Sequence, residues 1–378
     1  MDVKKFNRNR IFRFINSQEG VSKPEVAAAV GISTPTVLQC VKELKDEGYV
    51  TEVGEMKSTG GRKAMALKST KELFQAVGVD ITKNHVSIVI TDLGSNIIFH
   101  ERITLVFNDN EDYYIALSDY INNIVNTNID ENKTIIGVGI SVPGIIDENK
   151  EMIVFSHALS LYNVNCDKFT RHLKYECKFI NDANSAFLAE MYKKNDINNA
   201  VYLSLSNSVG GSIIVGNSSW RDSTESQNYI NYGDNRRAGE FGHMTLHTNG
   251  KKCYCGKTGC LDIYCSALQL SNLTNGKLQK FFELIEARDK KSLMVWNKYL
   301  SDLAIGVNNL RMIFDCRVII GGYVGSYMGP YLTDLKELAK ELNTFEKDAS
   351  YIEACTFKTE ASATGASIKL IELFLSKI

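Results

Sequence analysis

The chain has 378 residues, of which 44% are hydrophobic and 23% are charged, and this length and composition suit two or three globular domains. No apolar run approaches the roughly 18 residues that a membrane span requires, and the first residues are charged, so we expect a cytoplasmic protein without a membrane anchor. Residues 1–68 carry 12 Lys and Arg against 8 Asp and Glu, whereas the whole chain has a net charge of −1, so a basic head precedes an acidic body.

Residues 22–48 have the pattern of two short helices joined by a turn. Ser22 is a good N-cap with Pro24 in the first turn, and this helix stops at Gly31. A second helix begins at Ser33. Its predicted apolar stripe consists of Val37, Leu38, Val41 and Leu44. Two helices joined by a turn that contains glycine predict a helix-turn-helix, whose second helix lies in the major groove of DNA.

The polar side of the second helix predicts the contacts with DNA. Thr34, Thr36 and Gln39 would face base edges, since Gln can pair with adenine and Thr can contact the methyl group of thymine. Lys42 would contact phosphates, which position a protein on the duplex without reading its sequence.

A wing is predicted after these helices. Residues 49–53 and 64–67 are typical of two strands, and the loop between them contains Gly60-Gly61-Arg62-Lys63. The glycines allow close approach to DNA, and Arg62 and Lys63 would enter a minor groove. The alternative for the first 68 residues is a three-helix protein-interaction domain with a basic linker.

From Phe74 onward, apolar and β-branched strands alternate with helical segments. Residues 74–80, 86–92 and 135–142 are typical of buried strands, whereas residues 115–125 have helical spacing. Several of these strands end at glycines or polar residues. The pattern indicates an α/β fold with ligands near the strand ends.

Three of the nine cysteines lie close together, at Cys253, Cys255 and Cys260. With His243 they offer three thiolates and one imidazole, a ligand set that suits a tetrahedral structural zinc ion. His247 is a second histidine nearby. The alternative for the cluster is a group of free or redox-active thiols.

These motifs together resemble the ROK family (repressors, open reading frames, kinases), and above all its repressor branch. The resemblance is carried by Gly60-Gly61-Arg62, Ser141-Val142-Pro143-Gly144, Asn181-Asp182-Ala183-Asn184, Gly239-Glu240-Phe241-Gly242-His243 and the cysteine cluster. It implies an α/β protein in which a winged helix-turn-helix precedes an actin-like body of the sugar-kinase, RNase H-like type. The expected domains are residues 1–72, a first lobe of residues 73–190 and 365–378, and a second lobe of residues 191–364 with the zinc loop and a dimerisation surface.

The resemblance also implies a set of functional residues. Zinc ligands are implied at His243 and the three cysteines. Sugar contacts are implied at Asn181, Asp182, Glu240, His243 and Asp262, and Asp182 holds the position of the base in related kinases.

Two of the implied sugar positions depart from the family pattern. Asp262 stands where the family usually has Glu, and Ala158 stands where it has a sugar-contacting Asn. His157 or Asn163 is close enough in sequence to compensate. These departures bear on which sugar fits.

The phosphate-binding glycines of related kinases are missing. Ile81-Thr82-Lys83 and Ser206-Asn207-Ser208 stand where those kinases have glycine-rich turns, which let the backbone approach phosphates. We therefore predict a repressor without enzymatic activity, with structural zinc, a sugar or sugar derivative as effector and double-stranded operator DNA as partner. A homodimer is expected, with a dimer of dimers as the alternative. The competing functions are an ATP-dependent sugar kinase with a regulatory head and a regulator controlled by a protein partner, with a vestigial sugar cleft.

Overall fold

The computed structural model describes residues 3–55, 65–194, 199–214 and 230–378. The N-terminal head consists of α1 (Val3–Asn16), α2 (Lys23–Val30), α3 (Thr34–Asp46), β1 (Val50–Glu55) and β2 (Met65–Ser69). The predicted helix-turn-helix is confirmed as α2 and α3. The Ser22 hydroxyl caps α2 by accepting from the Glu25 amide, and the Glu25 carboxylate accepts from the Ser22 amide at 2.7 Å. The predicted wing residues Arg62 and Lys63 lie outside the described residues.

The first lobe is an α/β layer. Its elements are β3 (Phe74–Ile81), β4 (His85–Asp92), β5 (Ile97–Thr104), α4 (Glu111–Asn128), β6 (Thr134–Val142), β7 (Ile145–Asp147), β8 (Met152–Ser156), β9 (Leu161–Asn165), α5 (Asp167–Thr170), β10 (Cys177–Asn181) and α6 (Asp182–Lys193). The main sheet has the order β10-β6-β3-β4-β5, and β7, β8 and β9 form a small antiparallel sheet. Val77 and Val79 on β3 share a buried core with Leu117 of α4, so this helix covers one face of the sheet.

The second lobe has its own sheet and core. Its elements are β11 (Ala200–Leu205), β12 (Val209–Ile214), α7 (Asp262–Cys265), α8 (Leu268–Ser271), α9 (Leu278–Glu286), α10 (Lys290–Phe314), β13 (Arg317–Gly321), α11 (Gly322–Gly325), α12 (Leu332–Leu342) and β14 (Ile352–Ala354). The sheet order is β12-β11-β13-β14. Trp296 and Leu303 of α10 are buried against this sheet, and Cys265 lies in the same core.

The chain returns to the first lobe in a last helix, α13 (Ala361–Leu375). This helix packs on the opposite face of the β3 sheet and against α6. A Cβ atom at Gly365 would lie 1.7 Å from the carbonyl oxygen of Ser185, so the backbones of α13 and α6 are in direct contact there.

The head shares a hydrophobic core with α13. Leu370 and Leu375 lie in the same buried cluster as Ile11 and Leu44. The ring of Tyr49 in the head lies 6.0 Å from the ring of Phe374. The shared core therefore fixes the head on the body.

Polar contacts reinforce this junction. Arg13 forms an ion pair with Glu372 at 2.8 Å, and both side chains are largely buried. Asn9 donates to the carbonyl of Leu375, and Asn16 donates to the carbonyl of Leu93 at 2.9 Å. The last turn of α13 thus holds the first helix of the head.

Within the described ranges, the helices are all too short or too polar to cross a lipid bilayer. The domain boundaries at residues 72, 190 and 365 stay a prediction. The helix at the last boundary begins at Ala361, before the expected boundary at residue 365.

Candidate functional site

The outer surface of α3 presents the side chains predicted to meet DNA. Thr34, Gln39 and Lys42 are exposed, whereas Thr36 is half-buried. The Thr36 hydroxyl hydrogen bonds the Ser33 hydroxyl at 2.9 Å, and the Gln39 amide donates to Glu43 at 2.8 Å. In the absence of DNA, Gln39 is therefore held by its own helix.

One residue of the predicted apolar stripe was placed wrongly. Leu38 is 46% exposed, and Cys40 is buried beside Val37, Val41 and Leu44 instead. Leu38 lies four residues after Thr34 and four residues before Lys42, so the three side chains share one face of the helix. The sequence did not show that Leu38 is exposed, because its position borders the apolar stripe and a leucine there can face either the core or the solvent.

His243, Cys253, Cys255 and Cys260 come together in one cluster. One potential ligand atom from each residue lies within 4.8 Å of the others. The sulfurs of Cys255 and Cys260 are 3.7 Å apart, close to the roughly 3.8 Å edge of a tetrahedron with metal–sulfur distances of about 2.3 Å. The residues therefore fit a four-coordinate zinc ion with no position left for a substrate.

The electrostatics of the thiols differ within this cluster. Burial raises the pKa of Cys260 to about 12 and also raises the pKa of Cys253. The pKa of Cys255 is lowered because its sulfur accepts a hydrogen bond from the backbone at Lys257. A bound cation would favour the thiolate form of all three.

The cysteine loop (residues 243–262) is anchored to α10. His247 does not join the cluster; its Nε2 lies 2.9 Å from the buried carboxylate of Asp302, which also accepts from Lys298. The loop turns tightly at Gly259, which has a φ of 76°, and a Cβ there would lie 1.7 Å from the His247 carbonyl.

A cavity of about 320 Å³, the cleft cavity, lies between the two lobes. Its walls include Asp80 and Asp182 from the first lobe, Ser204 and Gly322 from the second, and Tyr254 from the cysteine loop. A neighbouring outer cavity of about 490 Å³ includes Arg102 and Tyr327 and shares Tyr323 with the first. The two cavities also share Thr82, Asn84 and Asn207, so they lie side by side in the groove between the lobes.

Both segments that replace glycine-rich turns line the cleft cavity. Thr82, Lys83 and Asn84 approach it from the first lobe, and Ser206, Asn207 and Ser208 approach it from the second. The structure thus brings together the two turns that are distant in sequence. Their side chains occupy the groove where a close backbone approach would need glycine.

Of the five predicted sugar contacts, Asp182 lines the cleft cavity. Asn181 is the N-cap of α6, accepting from the Asn184 amide at 3.0 Å and donating to the Gly144 carbonyl at 2.9 Å. It therefore positions the turn beside Asp182. The cap of α6 is thus Asn181, which leaves the Asp182 side chain on the cavity wall.

The other three predicted contacts, Glu240, His243 and Asp262, are not part of the wall of the cleft cavity. Asp262 is buried and accepts from the Val209 amide at 2.7 Å. His243 Nε2 is 3.5 Å from the Tyr254 hydroxyl, and Glu240 is exposed beside it. His157 lines the cavity together with Ala158, at the place where the sequence departs from the family pattern.

Two carboxyl groups line the cleft cavity, that of the buried Asp80 and that of the half-buried Asp182. Burial raises the pKa of Asp80 to about 7, and the nearby Asp182 carboxylate adds to the rise. Burial raises the pKa of Asp182 to about 6, with a contribution from Glu240. The Ser141 hydroxyl donates to Asp80 at 2.8 Å. Both groups are therefore closer to the neutral form at pH 7 than ordinary aspartates.

Comparison with known proteins decides the family. Residues 76–372 match the ROK family, and residues 7–51 match winged helix-turn-helix DNA-binding domains. The chain belongs to the ROK family.

Relatives of this ROK protein include named repressors. It is 30% identical to the xylose repressor of Bacillus spizizenii over 327 residues, which covers 84% of this chain and 82% of that protein. It is 24% identical to the N-acetylglucosamine repressor of Escherichia coli O6:H1 over 69% of this chain and 62% of that protein.

A solved structure shares the complete architecture. A ROK family transcriptional regulator, a homologue of the E. coli MLC protein, superimposes with a TM-score of 0.76 at 17% identity, covering 99% of this chain and 97% of that one. The arrangement of head and lobes is thus a known ROK fold.

The raised pKa of Asp80 predicts a pH-dependent effect of Asp80→Asn. The folded state takes up a proton on Asp80 between the ordinary pKa of 3.8 and about 7, so Asp80 makes the wild type less stable as the pH rises through this window. Removing the charge should therefore stabilise the protein more at pH 8 than at pH 5, by roughly 2 kcal/mol. Thermal unfolding at the two pH values measures the difference.

Asp109→Asn is the control. The hydrogen bond from Tyr114 lowers the pKa of Asp109, so this carboxyl stays ionised in both states across pH 5–8 and its substitution should have a pH-independent effect. Equal effects of Asp80→Asn at the two pH values would contradict a raised pKa for Asp80.

Proposed function

We propose that this ROK protein is a sugar-responsive transcriptional repressor that binds operator DNA through its head and has no kinase activity. The observation that carries the proposal is the exposed polar face of α3 on a head that is built into the core of a sugar-kinase-like body. Relatives named xylose repressor and N-acetylglucosamine repressor support both the binding of operator DNA and the response to a sugar.

The groove argues against phosphate transfer. A kinase must hold the phosphates of ATP beside Asp182, and backbone amides cradle phosphates most closely where glycine removes the side chain. Lys83, Asn84 and Asn207 fill those turns instead. Asp182 can still accept a hydrogen bond from a sugar hydroxyl, which is sufficient for a sensor.

A retained kinase activity is the second candidate, favoured by Asp182 itself. A carboxyl with a pKa near 6 in a ligand-sized cavity is suited to general base chemistry. The competing functions separate in a coupled ATP-turnover assay with a panel of sugars. Sugar-dependent turnover that Asp182→Asn abolishes would overturn the repressor proposal.

The most direct test of the proposal is to select DNA fragments that the full-length protein binds from the genome of its source. We expect palindromic sites, since winged helix-turn-helix repressors read two half-sites as dimers, and we expect a sugar to change the affinity for them. A dimer formed through the second lobe, or a dimer of such dimers, would place two heads on one operator. Such a protein would act in the cytoplasm, where the DNA is.

Substitutions on α3 should separate base contacts from phosphate contacts. Gln39→Ala should weaken binding to a selected operator by about 10- to 100-fold and leave non-specific binding nearly unchanged, because a bidentate contact with a base contributes about 1–3 kcal/mol. Lys42→Ala should weaken both operator binding and non-specific binding. It should also reduce the salt dependence of the DNA affinity by the equivalent of about one phosphate contact. Fluorescence anisotropy at several salt concentrations measures these effects. Equal losses on both DNAs for Gln39→Ala would exclude it from base reading.

The cysteine loop would hold one structural zinc ion through His243, Cys253, Cys255 and Cys260. When bound, zinc supplies a cross-link that fixes the loop. The loop contacts the cleft cavity through Tyr254, and it contacts α10 through the pair of His247 and Asp302. No position would remain for metal catalysis.

Metal analysis of the purified protein should find about one zinc per chain. Cys260→Ser should lose most of the metal and lower the melting temperature, because the metal links residues across the loop. Cys177→Ser is the matched control: this half-buried thiol lies outside the cluster, donates to the Tyr175 carbonyl, and can be replaced by a hydroxyl. A folded wild-type preparation free of metal would contradict the site.

A further inference from the structure

Tyr254 stands between two of the clustered cysteines, yet its side chain belongs to the cleft. Its ring lies 4.3 Å from the ring of His157 and 5.4 Å from that of His243, measured between centroids. The same residue forms part of the wall of the cleft cavity, as does Asp182. The cysteine loop therefore inserts one aromatic side chain into the groove between the lobes.

The hydroxyl of Tyr254 occupies a polar position that a ligand hydroxyl could otherwise take. It lies 3.5 Å from His243 Nε2, at the outer limit of a hydrogen bond. The buried carboxylate of Asp262 accepts from the Val209 amide through Oδ2.

The polar groups predicted to contact a sugar or line the groove fall into two sets. Asp80 and Asp182 line the cleft cavity, whereas Glu240, His243 and Asp262 are not part of its wall. A ligand in the cavity as it stands would meet carboxyl groups on one side and the Tyr254–His157 pair on another. An aromatic pair offers an apolar face of fixed position, which suits the C–H face of a compact ring and resists a bulky substituent.

We propose that Tyr254 determines the ligand specificity of the cleft, by selecting a compact sugar ring such as a pentose over a sugar with a large substituent such as an N-acetyl group. This inference rests on the proposed sugar-responsive function and names the class of ligand that the same cleft takes. A larger ligand must displace the ring of Tyr254 from His157 and the hydroxyl from His243. The energetic cost of that displacement opposes its binding.

Isothermal titration of the full-length, metal-loaded protein with D-xylose, D-glucose and N-acetyl-D-glucosamine tests the proposal. Tyr254→Ala should raise the ratio of N-acetylglucosamine affinity to xylose affinity at least tenfold, because it removes the wall. Tyr254→Phe should keep the ratio within about twofold of wild type, since the ring remains. Tyr254→Ser is a second truncation for use if the alanine variant does not fold with its metal.

Tyr264→Phe is the matched control. Tyr264 lies in the helix that follows the cysteine cluster, and its hydroxyl accepts from the Lys251 amide at 2.7 Å, but its ring contacts His247 rather than the cleft cavity. This variant should leave the affinity ratio unchanged. A change equal to that of Tyr254→Ala would assign the effect to general loosening of the loop and overturn the proposal.

The remaining outcomes separate this inference from the proposed function. Binding of N-acetylglucosamine by Tyr254→Ala alone supports Tyr254 as the barrier. An unchanged ratio in both truncation variants overturns the specificity role while sugar sensing stands. If sugars bind but never alter operator affinity, the proposed function is overturned. The ratio of sugar affinities in the variants still tests the specificity role of Tyr254. Absence of binding for all three sugars to all variants overturns both.

Discussion

The contact between α13 and the sheet and helix beneath it is the constraint on which the rest of the structure depends. At Gly365 there is no space for a side chain, so α13 and α6 touch along their backbones. Close-packed elements of this kind shift as units rather than deform, because interiors are as dense as molecular crystals. We therefore expect a change at one end of α13 to be carried to the other.

The two ends of this helix lie at the two functional regions. Ala361 and Ser362 line the cleft cavity, and the Ser362 hydroxyl donates to the Asp182 carbonyl at 3.2 Å. Glu372 and Leu375, in the last turns, hold Arg13 and Asn9 of the head. With 15 residues, α13 spans about 22 Å. A ligand that prefers one position of Asp182 would thereby bias the position of the DNA-binding head, which is the physical content of an allosteric link.

Local signals in the sequence were sufficient for much of the fold and part of the site. Ser22 and Gly31 mark the ends of α2 because caps act within one turn. The spacing of Cys253, Cys255 and Cys260 predicted a cluster because short loops with glycine bring ligands together whatever surrounds them. The kinase-type turns were identified by missing glycines, a change that is visible in the sequence itself.

The features that sequence reasoning missed depend on contacts between distant segments. Leu38 was assigned to the core, although the packing of the three head helices turns it outward. The first turn of α13 lies before the boundary expected at residue 365, because Ser362 packs against Asp182 and Ser185 of α6, which are distant in sequence. The raised pKa of Asp80 comes from burial between lobes, and the place of Tyr254 comes from the fold of its loop. Neither can be deduced from residue type.

Linkage between the cleft and the head is the central claim, and a reciprocal titration measures it most directly. For a sugar that binds, operator affinity is determined with and without the sugar, and sugar affinity with and without the operator. The account predicts that both affinities change by the same factor in the wild type, as linkage requires, and that Glu372→Gln brings this factor close to one without changing sugar affinity in the absence of DNA. A sugar that binds the wild type firmly and leaves its operator affinity unchanged would contradict the account.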